Sequence, residues 1–234
     1  MDVTEIVTAV IGLVAVVSTG IRLVPRWRPE DNLVLVAHVL TVVIMSSSQS
    51  WIYEPLDRVF GGRNVVNLIA HLALIGVTWI SAALLIPALR GRSGTLPRWS
   101  WMPVAASMVG AVSTFIALGT QHTSRGLDAY DSEILYGFYW CFTLMGIWFP
   151  SPWLVPRLWA RRATSGPRIR ASFLLFAVSY ALSIPCTLSF FLVAWRSDWI
   201  LLREALVLGM GATLVAGYLV APTSRHQKAN KSHA

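Results

Sequence analysis

Seven apolar runs of roughly membrane-spanning length, separated by short charged or turn-forming stretches, constrain this chain more than any other feature. Crossing the ~30 Å hydrocarbon core takes about 20 mostly apolar residues. The runs that qualify are residues 5–24, 33–53, 64–85, 101–119, 134–155, 169–194 and 200–221. Lipid offers the backbone no hydrogen-bond partners, so such runs must be helices. The expected fold is therefore all-α: a polytopic membrane bundle of seven transmembrane helices. A content of 55% hydrophobic and 13% charged residues over 234 positions agrees, being too apolar for a soluble domain. Residues 1–222 read as one transmembrane domain and 223–234 as a basic tail. Asp2 and Glu5 stand where a cleavable signal would be positively charged, so the first run is expected to remain a span.

Basic residues set the orientation, because Lys and Arg near span ends favour the cytoplasmic side. Of 19 basic residues, 14 fall on one side of the seven spans, including Arg22, Arg90, Arg157, Arg161, Arg162, Arg168 and Arg170. Arg58, Arg63, Arg125, Arg196 and Arg203 fall on the other, together with nine of the 11 acidic residues. This puts the N-terminus outside and the C-terminal tail in the cytoplasm, in a cell membrane. The formal charge of +8 is topological and does not form a nucleic-acid patch, since no basic surface interleaved with stacking aromatics occurs.

The polar groups concentrate in residues 49–71. The third span enters with Asn64, Asn67 and His71, followed by Thr78 and Ser81, at steps that keep them on one helical face. Polar groups facing lipid are costly, so this face is expected to look into the bundle. Glu54 and Asp57 precede it in the first outer loop, and Gln49 closes the second span. Glu204, one turn inside the seventh span, could pair with Arg203, Arg63 or His71. The candidate pocket is thus Gln49, Glu54, Asp57, Asn64, Asn67, His71 and Glu204, with outer carboxylates at the mouth and His71 at the floor. The alternative is that the same groups tie the third helix to its neighbours.

Two breakers stand out. The fifth run carries Pro150 and Pro152 and is followed by Pro156, so its helix should stop or bend near Phe149. Pro185 interrupts the sixth, and Ser183 or Thr187 could take up the carbonyl it frees. No cofactor or metal is expected: His38 and His71 lie about 12 Å apart in depth, and Cys141 and Cys186 make no metal-binding spacing. No Gly-x-Ser-x-Gly or His-Glu-x-x-His occurs, so an enzyme is not expected.

Arg28-Pro29 before the second span, then Asp57-x-x-x-Gly61-x-x-Asn64 and Leu68-x-x-His71, resemble a group of actinobacterial seven-span membrane proteins of unknown mechanism that carry the label of transporter. Longer members add a cytoplasmic C-terminal domain; with only a twelve-residue tail after the last run, the short form without it is expected. The resemblance implies a seven-span bundle in the same orientation. Two functions are therefore expected in competition. One is transport of a small solute or ion through an outward-facing polar pocket. The other is a sensor or scaffold that contacts a cytoplasmic protein or anionic lipid at its basic inner face. The lipid bilayer is a partner in both; nucleic acid is a partner in neither.

Overall fold

The computed structural model describes residues 32–90, 101–120 and 123–220, and all of them lie in helices or the turns between them. The first predicted span, the loop at 91–100, His122 and the basic tail lie outside the described residues. Nine α-helices occur among those described. They are α1 (Asn32–Ser47), α2 (Ser50–Val59), α3 (Val65–Arg90), α4 (Trp101–Ala117), α5 (Ile134–Thr143), α6 (Met145–Trp148), α7 (Ser151–Arg162), α8 (Pro167–Trp195) and α9 (Ile200–Val220). Short 3-10 turns at Arg125–Tyr130 and Ser197–Trp199 join α4 to α5 and α8 to α9.

Three helices are long and apolar enough to cross a membrane: Val65–Ile86, Pro167–Trp195 and Ser197–Val220. The predicted second span behaves differently. Its helix ends at Ser47, the chain bends by 89°, and α2 leaves across the end of the bundle. Hydroxyls of Ser47 and Ser48 fold back onto the carbonyls of Ile44 and Met45 at 2.9 and 2.7 Å, which ends α1 by satisfying its last carbonyls locally. The charged stretch after Tyr53, expected as a turn, is thus the second half of a helix.

The fifth run also breaks up. Its helix stops at Phe149, as the prolines require, but an additional break falls at Leu144, so α5, α6 and α7 are separate pieces. Helix α7 then runs on to Arg162, seven residues past the predicted end of the span. In α8 the chain stays helical through Pro185. The carbonyl freed there is that of Ala181. Neither predicted partner takes it, because Ser183 donates to the Tyr180 carbonyl (2.6 Å) and Thr187 to the Ser183 carbonyl (2.8 Å).

The core is built around α3 and α8. Helix α3 packs against α1, α4 and α6, and α8 against α5, α7 and α9. Hydroxyls fasten the pieces: Ser151 on α7 meets Ser183 on α8 at 2.9 Å, and Ser179 on α8 donates to the Met210 carbonyl of α9 at 2.9 Å. Outward faces carry large apolar groups such as Val109, Ile116, Leu188 and Leu201, as a surface solvated by hydrocarbon does.

Helices α4 and α5 meet at Gly110, where a Cβ would run into the Phe142 ring. Gly211 in α9 has nothing within 4 Å of such a position. Overpacking typically costs about 1–3 kcal/mol, set against a helix-propensity gain of up to ~1 kcal/mol that both sites share. Gly110→Ala should therefore fall at least about 1 kcal/mol below Gly211→Ala when unfolding in detergent is followed by circular dichroism.

Candidate functional site

The polar groups of residues 49–71 meet at the end of the bundle where α3 begins. The turn from α2 to α3 uses left-handed backbone at Gly61, Gly62 and Asn64, with φ of 81°, 67° and 57°. Asparagine tolerates that conformation better than most residues with a side chain. At Gly62 a side chain would also crowd Thr123 Oγ1, at 3.2 Å from the Cβ position.

This turn brings Asp57 back to the start of α3, where its side chain is fully buried. Oδ2 accepts from the Asn64 backbone N–H at 3.2 Å and from the Thr123 hydroxyl at 3.0 Å, and Oδ1 accepts from the Val66 N–H at 3.5 Å. A helix leaves its first N–H groups without partners and carries partial positive charge there. Asp57 supplies both an acceptor and a negative charge, so it caps α3 from a position seven residues upstream.

Beside it lies a second set of bonds. The Tyr53 hydroxyl donates to Asn64 Oδ1 at 2.6 Å and accepts from Asn67 Nδ2 at 2.9 Å. Asn64 Oδ1 also accepts from the Ser124 N–H, and Asn67 Nδ2 donates to the Ser124 carbonyl, both at 2.6 Å. The backbone of Ser124 is thereby bound on both sides. Thr120 completes the seam by donating to the Arg63 carbonyl at 3.0 Å.

Further along the same face, His71 Nδ1 pairs with the Tyr139 hydroxyl at 2.6 Å, and the Trp140 ring lies edge-on at 4.4 Å. Thr78 and Ser81 continue the stripe, Ser81 bonding the Tyr218 hydroxyl of α9. All five members of the stripe are buried.

The structure thus brings Asp57, Asn64 and Asn67 into one bonded knot, with His71 about one turn deeper beyond Asn67. Gln49 is buried at the α1–α2 bend, where its carbonyl accepts from the Ile52 and Tyr53 N–H groups. The other two candidates lie apart. Glu54 is exposed and 3.6 Å from Arg58, one helical turn away. Glu204 is half-exposed at 3.9 Å from Arg203.

Its neighbour Arg203 is the buried one, 6% exposed near the start of α9. It donates to the Tyr136 hydroxyl at 3.1 Å and lies 3.4 Å from Asp128 Oδ1. Desolvation pushes the Asp128 carboxyl above its ordinary pKa, with Arg203 pulling the other way. Residues 123–131 therefore reach Asp57, Asn64 and Asn67 at one end and Arg203 at the other.

An open groove of about 740 Å³ runs beside the knot, lined by Gly61, Arg63, Val65, Phe115, Ile116, Gly119 and Thr120. None of the seven candidate pocket residues lines it. Among the described residues no group of three or more His, Cys, Asp or Glu could hold a metal ion, and Cys141 and Cys186 are free thiols.

Sequence reasoning passed over Tyr53, Thr123, Ser124 and Tyr139, which supply half of these bonds. A tyrosine in an apolar run counts as part of the run, and a backbone carbonyl leaves no signal in the sequence. Arg203 had a signal: a cation inside a span needs partners.

No known protein family, curated protein or solved structure matches the chain.

Removing the Asp57 carboxylate strands two buried backbone N–H groups, while the hydroxyl of the exposed Thr123 can turn to water. Orphaning such donors costs about 1–3 kcal/mol each. Asp57→Ala is expected to lower unfolding stability by about 3 kcal/mol or more, and Glu54→Ala by no more than about 0.5 kcal/mol, since exposed ion pairs contribute little. Denaturant titration of the two purified variants checks the contrast; equal losses would remove Asp57 from its capping role.

Proposed function

We propose that the protein is a seven-span protein of the cell membrane, N-terminus outside and C-terminus cytoplasmic, that senses a ligand or condition at its outer end. The observation that carries this reading is the state of the expected pocket. Tyr53, Asp57, Asn64, Asn67 and His71 are buried and bonded to one another, to 123–124 or to Tyr139. A group that competes for the bonds from Asp57, Asn64 and Asn67 to Thr123 and Ser124 releases residues 123–131 and shifts the start of α3. Helix α3 spans 26 residues and bonds α9 through Ser81 and Tyr218, so a shift at one end reaches the other. The membrane assignment is supported by the three long apolar helices, and the orientation by the excess of arginine at the opposite end.

Transport of a small solute or ion is the second reading. The His71–Tyr139 pair favours it, because a buried imidazole and phenol form a polar step inside a span. It requires a second state in which the knot opens and water reaches His71.

Hydrogen exchange on the intact protein in nanodiscs separates the readings. In Tyr53→Phe, which keeps the ring and removes the hydroxyl contacts with Asn64, Asn67 and Ser124, exchange should accelerate in 123–131 and, to a smaller extent, in 157–170 at the far end. Acceleration confined to the outer end would count against sensing. Under the transport reading, vesicles should show solute flux that His71→Ala abolishes while the variant remains folded; absence of flux across cations, anions and small polar solutes would sink it.

A further inference from the structure

The arginine-bearing end presents a group of charges with no acidic counterpart among the described residues. Helix α7 and the first turn of α8 carry Arg157, Arg161, Arg162, Arg168 and Arg170, and no Asp or Glu occurs between Glu133 and Asp198. None of these five arginines forms an ion pair with a described carboxylate. Two of them lie over indoles: Arg162 is 3.6 Å from the Trp159 ring centroid and Arg157 is 4.1 Å from that of Trp153. Trp159 itself is half-exposed.

A simpler account is that these arginines complement the negative end of the α7 dipole. The carbonyls there are already occupied. Thr164 and Ser165 donate to the Arg161 carbonyl at 3.2 and 2.9 Å, and Arg170 Nε donates to the Arg162 carbonyl at 3.2 Å. That last bond joins α8 to α7 and holds Arg170 beside Arg162. Arg162 Nε, in contrast, is buried without any acceptor. A guanidinium N–H without an acceptor is costly; with Nε covered, an acceptor from outside the chain meets the two terminal nitrogens of the same fork, neither of which is a buried atom without a partner.

Three further features narrow the chemistry of that acceptor. The span candidate Pro167–Trp195 begins at this turn, so Arg168 and Arg170 stand at the boundary between apolar helix and polar medium. Tryptophan favours the headgroup level of a bilayer. Helix α8 starts at Gly166-Pro167 with no side-chain cap, which adds its positive end to the same place.

We propose that the turn between α7 and α8 is a binding site for the phosphate of an anionic phospholipid, held by Arg162 and Arg170 with Trp159 against the glycerol and upper acyl region. The guanidinium fork suits a phosphodiester, whose oxygens accept two parallel N–H bonds. A net negative headgroup is favoured over a zwitterionic one, because five positive charges without an ion-pair partner among the described residues have no use for a choline. This assignment rests on the chain residing in a bilayer and is independent of whether it senses or transports.

Native mass spectrometry of the delipidated full-length protein, titrated with phosphatidylglycerol or phosphatidylcholine, tests it. Wild type should bind phosphatidylglycerol at least about tenfold more tightly, as expected for two arginines at an anionic headgroup. Arg162→Gln/Arg170→Gln should bring the two lipids level, while Arg196→Gln, which loses only an exposed contact with Asp198, should not. Equal binding of both lipids by wild type, or an unchanged preference in the double variant, would overturn the site. Displacement of the lipid by millimolar inorganic phosphate would reassign it to a soluble anion. Should the double variant fail to fold, the wild-type preference must decline as salt is raised from about 0.05 to 0.5 M; a salt-independent preference overturns the proposal equally.

Discussion

The carboxylate of Asp57 at the first turn of α3 is the interaction on which the rest of this end of the molecule depends. Burying an ionised group costs several kcal/mol unless hydrogen bonds and favourable charge replace its water. Here two backbone N–H groups, one hydroxyl and the positive end of a 26-residue helix do so. The relation also runs in reverse. Without an acceptor the first amides of α3 would be orphaned at a buried helix end, and the left-handed turn through Gly61, Gly62 and Asn64 would keep only its own backbone bonds and the one from Thr120 to Arg63. Cap, turn and helix direction are one arrangement.

Once α3 is set, its stripe determines what the other elements can do. Asn64 and Asn67 face Tyr53 and Ser124, His71 faces Tyr139, and Ser81 faces Tyr218. Each partner comes from a different part of the chain. The segment 123–131 is the strongest tie, because it binds the Asp57 knot through Thr123 and Ser124 and the Arg203 guanidinium through Asp128. It holds a cost of its own: Leu127 is fully buried with φ of 62°, a conformation a leucine rarely takes. Such strain amounts to roughly 1–3 kcal/mol and persists only where surrounding contacts over-determine it. Burying the leucine side chain contributes an offset of about the same size.

What was legible in the sequence follows from which physical rule each feature obeys. The helical period put Asn64, Asn67, His71, Thr78 and Ser81 on one face, and polar groups in an apolar helix seek the interior. The stop at Phe149 followed from proline chemistry. The bend after Ser47 was less visible, because apolar character continues through Trp51 and Ile52 and a hydropathy window reads only the average. Its local signal was Ser46-Ser47-Ser48-Gln49-Ser50, a run of side chains able to bond backbone. The choice between Arg203 and Glu204 turned on helical phase: adjacent residues point about 100° apart, and neither composition nor depth says which faces inward. The knot was the hardest to read, since Ser124 contributes only its backbone and Tyr53 hides among apolar neighbours.

The strength of the closed arrangement bears on what could open it. Residues 123–124 are held to the α2–α3 region chiefly by three bonds, from Thr123 to Asp57, from the Ser124 N–H to Asn64, and from Asn67 to the Ser124 carbonyl, with a longer fourth at 3.2 Å from the Tyr53 hydroxyl, whose proton is shared with Asn64. Two neutral bonds and one to a charged acceptor sum to about 3–5 kcal/mol net. A ligand can shift this equilibrium only by its difference in affinity for the open and closed forms. Total binding energies of about 4–8 kcal/mol correspond to dissociation constants from millimolar to micromolar. A small polar ligand that replaces these bonds and adds one or two of its own falls in that range, whereas a weakly bound ion offers too few contacts to open the seam unaided. The closed knot is therefore stable enough to define a resting state, yet weak enough for an ordinary ligand to release.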